Sequence, residues 1–250
     1  MFFPYADDNS QRRIVPFVTY ALIIANILVF VLLQGIGNND KFTYAFSTVP
    51  AEIITGKDIV TQAKVYVDQA TGIKHQMPPL EQTPIPVYLT MITSMFMHGG
   101  ISHIFGNMLY LWIFGDNIEN QMGHIKYLLF YLLTGVLGSL AHVASSFFQA
   151  QDTLIPSLGA SGAISGVLGA YLCMFPQNKV RAILFYFPVT VPAIIALGVW
   201  IAFQIFNGLG SLGGSGGGVA YAAHIGGFFA GFILAKFFGC VAEQKPISRD

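Results

Sequence analysis

The run IVPFVTYALIIANILVFVLLQ at residues 14–34 decides the class of this chain. It contains no Asp, Glu, Lys or Arg, and about 20 such residues are what a helix needs to cross a hydrocarbon core of ~30 Å. A short polar segment ending in Arg12-Arg13 precedes it. The run is too long for the apolar part of a signal peptide and lacks a clear cleavage site, so it reads as a retained first span. The rest of the 250 residues agree: 54% are hydrophobic and only 10% charged. A soluble domain needs roughly 25% charged residues to cover its surface. An ordinary soluble domain, a disordered chain and a nucleic-acid binder, which would need a basic stripe, are thereby excluded. What remains is an all-α polytopic membrane protein.

Five further stretches are apolar enough to join the first: residues 101–118, 125–148, 161–175, 181–206 and 219–239. The expected organisation is a cytoplasmic segment at 1–13, a six-span membrane domain at 14–240 and a cytoplasmic tail at 241–250. The long connection at 36–97 holds Pro78, Pro79, Pro84 and Pro86 and has room for short amphipathic helices lying on the membrane. Residues 208–218 (GLGSLGGSGGG) read as a flexible linker. Lys and Arg favour the cytoplasmic side of a membrane. Both termini inside gives the inner segments Arg12, Arg13, Lys126, Lys179, Arg181, Lys245 and Arg249, and leaves the short outer loops 149–160 and 207–218 with no Lys or Arg. No inverted repeat, the sign of many transporters, is visible.

A polar group inside a span is costly and marks function by default. In this topology spans two, four and six begin at the outer face, and their first turns carry His103 and Asn107, Ser161, and His224. Asn107 lies four residues after His103 and so shares its helix face. Span four is short: 15 residues cover roughly 22 Å. With its inner end near Pro176, Ser161 sits below the outer surface. Non-helical backbone is tolerated at that depth only inside protein or beside a water-filled cavity, so the lengths imply a water-accessible depression with a serine at its floor. Gly162-xxx-Gly166 and Gly227-xxx-Gly231 let backbones approach closely. If spans four and six meet on those faces, Ser161 and His224 come within reach, and an imidazole that takes the hydroxyl proton activates the serine for acyl transfer. His103, Asn107 and the Ser161 amide are then the available donors for an oxyanion.

These motifs, in this order, resemble those of the rhomboid intramembrane serine proteases. HIFGN (103–107) is similar to their His-x-x-x-Asn element, GASG (159–162) to their Gly-x-Ser-Gly motif, and AHIGG (223–227) to the Ala-His-x-x-Gly element of their last core helix. GDNIE (115–119) resembles the Gly-x-x-x-Glu that closes their second helix, and the likeness covers about residues 90–240. The resemblance implies a Ser161–His224 dyad without an acidic third member, and an oxyanion site from His103, Asn107 and the Ser161 amide, with Gly159 shaping the loop. It also implies cleavage of a peptide bond in or near a substrate's transmembrane helix. His98 looks like a family histidine that supports the water-filled region. The protein partners implied are transmembrane-helix substrates within the lipid bilayer, with no cofactor, no metal and no nucleic acid. The compact form resembles the bacterial type, which suggests a bacterial inner membrane with the site open to the outer face.

Two positions depart from the family pattern. Many relatives carry an aromatic residue four positions after the nucleophile, packed on the imidazole; this chain has Ser165. Some carry a Trp-Arg pair before the second span, where this chain has Tyr88-Leu89-Thr90. The remaining polar groups read blandly. Gln204 and Asn26 are expected to be interhelical hydrogen-bond groups, Asp116 and Glu119 an interfacial cap or packing pair, and His75 and His124 solvated. His142 is the rival base but lacks a glycine-rich face, and Cys173 and Cys240 read as small buried hydrophobes. Two rival functions stand beside the protease: a non-catalytic rhomboid-like protein that captures transmembrane helices, which would typically lack the serine or histidine, and a small-solute transporter, which would place its polar site at mid-membrane.

Overall fold

Five long apolar helices accompany a sixth that is buried almost along its whole length. The computed structural model describes residues 2–67, 74–77, 79–148, 153–210 and 220–239. The first long helix, α1 (Phe17–Leu28), continues as a π-helical turn through Leu33. Two short helices follow, α2 (Asp40–Ala45) and α3 (Pro50–Thr55), then a single turn α4 (Thr90–Thr93). The remaining helices are α5 (Ile101–Met122), α6 (His124–Phe148), α7 (Ser161–Met174), α8 (Ala193–Gly210) and α9 (Tyr221–Phe238).

Residues Gly162 to Tyr171 of α7 are all buried, which explains a sequence that is small or apolar on every side rather than striped. Around it α5, α6 and α9 close a shell. The outer surface of that shell is apolar too: Leu32, Ile125, Phe206 and Phe237 are mostly exposed. Contiguous apolar exposure on this scale suits lipid and not water.

The close approach of α7 and α9 depends on glycine. A Cβ on Gly227 would strike the carbonyl of Gly162, and one on Gly231 the carbonyl of Gly166. The four glycines are those of the Gly162-xxx-Gly166 and Gly227-xxx-Gly231 motifs that the spacing singled out. At the other end of the bundle, Glu119 is fully buried. Its carboxylate accepts hydrogen bonds from the amides of Val18 and Thr19 at 2.8 and 2.7 Å and from the Thr19 hydroxyl at 2.7 Å. Pro16, at the head of α1, offers no side-chain cap, so a carboxylate from α5 satisfies the orphan amides and complements the helix dipole. His124 also meets Glu119, at 2.6 Å, and is therefore paired rather than simply solvated as expected.

Each of the six stretches expected to span contains a helix, but only α6 and α9 are long and apolar enough by themselves to cross a bilayer, among the described residues. The α5 helix is diluted by Asp116, Asn117, Glu119 and Asn120. With 14 residues, α7 covers about 21 Å.

The expected fifth span at 181–206 is wrong in nearly its first half. Residues Lys179–Leu184 and Phe187–Pro192 form strands β4 and β5 of a hairpin, and the helix starts only at Ala193. Pro188 and Pro192 cannot donate within a helix, and Val180, Val189, Thr190 and Val191 are β-branched and favour the pleat. Val180 and Ala182 are buried and alternate with exposed neighbours. Residues 1–13, expected only as a polar segment, supply β1 (Phe2–Ala6), which pairs antiparallel with β4, giving the order β1-β4-β5. The long connection holds α2, α3 and a two-stranded hairpin of β2 (Lys64–Val67) and β3 (Lys74–Met77). Helix α8 runs through Gly210, so the first residues of the presumed linker are helical. The rest of that linker, Cys240 and the 241–250 tail lie outside the described residues.

Candidate active site

Ser161 is the first residue of α7, and Ala160 before it gives the helix no side-chain cap. The first amides of any helix have no intrahelical acceptor, so this terminus presents free N–H groups beside the serine hydroxyl. The preceding loop is tied down by backbone pairing. Thr48 and Ser157 exchange two backbone hydrogen bonds, at 3.0 and 2.8 Å, and the Gly159 amide donates to the Ser94 carbonyl at 2.9 Å. Ser94, Ser157, Gly159, Ser161 and Ala223 line a depression at this end of the bundle.

His224, one turn into α9, reaches that depression. Its Nε2 lies 2.8 Å from Oγ of Ser161. Its Nδ1 lies 2.8 Å from Oε1 of Gln204 on α8. Both Ser161 and His224 are half-buried. The serine hydroxyl, an imidazole that can take its proton and a neutral oxygen behind the imidazole thus form a chain across three helices.

His103 stands on the far side of Gly159. A Cβ on that glycine would lie 2.8 Å from Nε2 of His103 and 3.6 Å from Oγ of Ser161. The absence of a side chain there leaves open the space between the two. The Gly99 amide donates to Nδ1 of His103 at 3.3 Å, which leaves Nε2 as the protonated, donating nitrogen. One turn deeper on the same face, Asn107 is buried and its Nδ2 makes no hydrogen bond among the described residues. His98 is fully buried, with its ring edge-on to His103 at 5.1 Å between centroids. The Gln34 side chain holds the His98 backbone at both ends, accepting from its amide at 2.9 Å and donating to its carbonyl at 3.0 Å.

The structure therefore brings Ser161 and His224 into contact and sets His103 and Gly159 beside them, with His98 against His103 and Asn107 one turn along from His103 on α5. Gly162 and Gly227 stand where the two backbones meet. Reading of the sequence missed Gln204 as part of this site. The signal was an amide in an otherwise apolar span, and nothing in the sequence said which helix it faced.

The Rhomboid domain family model matches residues 87–240. The chain belongs to the rhomboid family. Among its relatives is Rhomboid protein 1, mitochondrial, of Saccharomyces cerevisiae, 32% identical over 173 residues that make up 66% of this chain and 46% of the yeast protein. Rhomboid protease GluP of Bacillus subtilis is 34% identical over 60% of this chain and 26% of its own length. RHOMBOID-like protein 1 of Arabidopsis thaliana is 27% identical over 94% of this chain and 56% of its own. The rhomboid chain described here spans about half or less of the length of these relatives. The family match begins at Val87, so α1, the N-terminal strand and most of the long connection fall outside it.

Proposed function

We propose that this rhomboid is an intramembrane serine endopeptidase that cleaves peptide bonds in or near the transmembrane helices of membrane-protein substrates. The observation that carries the reading is the 2.8 Å contact between Ser161 Oγ and His224 Nε2 at an uncapped helix terminus. In this reading the chain crosses the membrane six times, with residues 1–13 and 241–250 on the cytoplasmic side and the depression opening outward. The bacterial inner membrane expected from the sequence gains no support from the relatives, several of which are mitochondrial or plant proteins, so the proposal commits to a membrane and not to a compartment.

His224 takes the proton of Ser161 as the hydroxyl attacks the scissile carbonyl. The oxyanion that forms accepts hydrogen bonds from the Ser161 amide, from Nε2–H of His103 and from the Asn107 amide, each donor worth a few kcal/mol in a site with little water. Asn107 suits this role because its Nδ2 spends no hydrogen bond on any other group among the described residues. His224 then protonates the leaving amine. Water from the depression attacks the acyl-serine with His224 again as base, and the second product leaves. The glycine face at residue 159 keeps the oxyanion space open between His103 and Ser161.

A fluorophosphonate probe tests the reading directly. The purified protein in detergent is expected to be labelled, and Ser161→Ala and His224→Ala are each expected to lose both labelling and cleavage of a labelled transmembrane substrate while keeping their melting temperatures. His142→Ala should retain activity. Full cleavage by Ser161→Ala would overturn the assignment and favour a protein that only captures helices.

A further inference from the structure

The position four residues after Ser161 offers the imidazole nothing. Ser165 turns its hydroxyl back to the Ser161 carbonyl, at 2.6 Å, and carries no ring on which His224 could rest. The supports of His224 come instead from α8. Gln204 faces Nδ1 at 2.8 Å. Trp200, one turn earlier on the same helix, lies with its ring 6.2 Å from the imidazole between centroids and inclined at 33°. Trp200 also packs on Phe228 of α9 at 6.0 Å, which anchors it to the helix that carries the histidine.

The chemistry of the contact is directional. A carboxamide oxygen can only accept a hydrogen bond, so the imidazole proton must sit on Nδ1. A neutral imidazole protonated there has its lone pair on Nε2, the nitrogen that faces Ser161. The opposite tautomer would point an N–H at the serine and could not take its proton. We infer that Gln204 is a positioning residue that fixes the tautomer of His224, with Trp200 fixing the plane of the ring, and that α8 thereby takes over the work of the missing aromatic on α7. The inference rests on the serine-protease reading above, since only a base needs its tautomer fixed.

Three variants test it. Gln204→Met keeps the size and removes the acceptor. Gln204→Asn keeps the polarity and draws the acceptor back by one methylene. Gln204→Glu restores an acceptor at the native distance. Gln204→Met and Gln204→Asn should lower kcat and the rate of fluorophosphonate labelling together by roughly 10- to 100-fold, a part of the 10²–10⁴ that a positioned base contributes. KM for a transmembrane substrate and the melting temperature should stay at wild-type values. Gln204→Glu should recover most of the rate. If Gln204→Met does not fold, Gln204→Asn decides alone. Wild-type rates in either Gln204→Met or Gln204→Asn overturn the inference, as does a loss of activity that follows the loss of folded protein or that Gln204→Glu fails to recover. A wild type whose labelling depends on Ser161 and His224 but ignores Gln204 sinks this inference and leaves the protease reading intact. A wild type that neither labels nor cleaves sinks both.

Discussion

Gly159 sits at φ +123°, in a region where a side chain is strained. Its bare face also touches the His103 ring, so a methyl group there would add a collision to the strain. Gly159→Ala is expected to fold, because the loop is exposed on one side, but to lose activity by roughly 10- to 100-fold through displacement of a group that lines the reacting space. Labelling rates and substrate cleavage measured side by side would check this; unchanged rates would separate Gly159 from the site. At this scale much was legible in the sequence. Ser161, His224, His103 and Asn107 stood out because polar side chains are costly within apolar runs. Gln204 carried the same signal, yet it read as an interhelical bond of no special role. The sequence contains no statement of which way a lone amide on one span points. Ser165 was visible as a departure from the family pattern, whereas its compensation by Gln204 and Trp200 lies about 40 residues away and needed the packing of α8 on α9.

The dyad exists because two helices touch at their backbones. Between α7 and α9, Gly227 packs on Gly162 and Gly231 on Gly166 so closely that neither α9 glycine has room for a Cβ. Gly231→Ala is therefore expected to push the helices apart two turns below the dyad. It should lower both the melting temperature and the rate of labelling of Ser161, by roughly tenfold or more, as a displacement of about 1 Å near a reacting geometry does. The size of the serine–histidine separation makes the rate the more sensitive readout, and a variant with normal labelling would show that the glycine pair is dispensable. This element-level contact was readable from the four-residue glycine spacing. The fifth helix was not. Hydropathy over 181–206 is uniformly high, and it hides an alternation of buried and exposed residues over Lys179–Leu184 that belongs to a strand. Apolar strands and apolar helices look alike until periodicity and proline positions are weighed. The hairpin turns at Phe185 and Tyr186, with Phe185 at φ +57°, a conformation that no glycine or asparagine announced.

At the scale of the whole molecule, the N-terminal segment ties three elements together. Asp7 follows β1 and is nearly fully buried. One of its oxygens accepts from Tyr171 Oη at 2.6 Å and from Asn117 Nδ2 at 2.8 Å, which joins the first residues of the chain to α7 and α5. Arg12 adds an ion pair with Asp116 at 2.8 Å, and Asn178, after α7, donates to Tyr171 Oη and to the Asp8 carbonyl. Burial raises the Asp7 carboxyl from 3.8 to about 6, helped by the nearby charge of Asp116 and opposed by the hydrogen bonds from Tyr171 and Asn117. A value raised on folding means that the folded state holds the proton more tightly than the unfolded one. The stabilisation from that proton is complete below about pH 4 and is lost as pH rises through 6. The wild type should therefore melt at a lower temperature at pH 7.5 than at pH 5, by an amount equivalent to about 1–3 kcal/mol. Asp7→Asn, which keeps an acceptor oxygen for Tyr171 and carries no charge, should raise the melting temperature at pH 7.5 and flatten the profile between pH 4 and 7. Ser161 and His224 lie at the opposite end of α7 from Tyr171, so labelling of the serine at pH 7.5 should be unaffected by Asp7→Asn. A wild-type profile that is already flat, or one that Asp7→Asn leaves unchanged, would mean that the carboxylate is hydrated in place and that the N-terminal strand is held by its pairing with β4 alone.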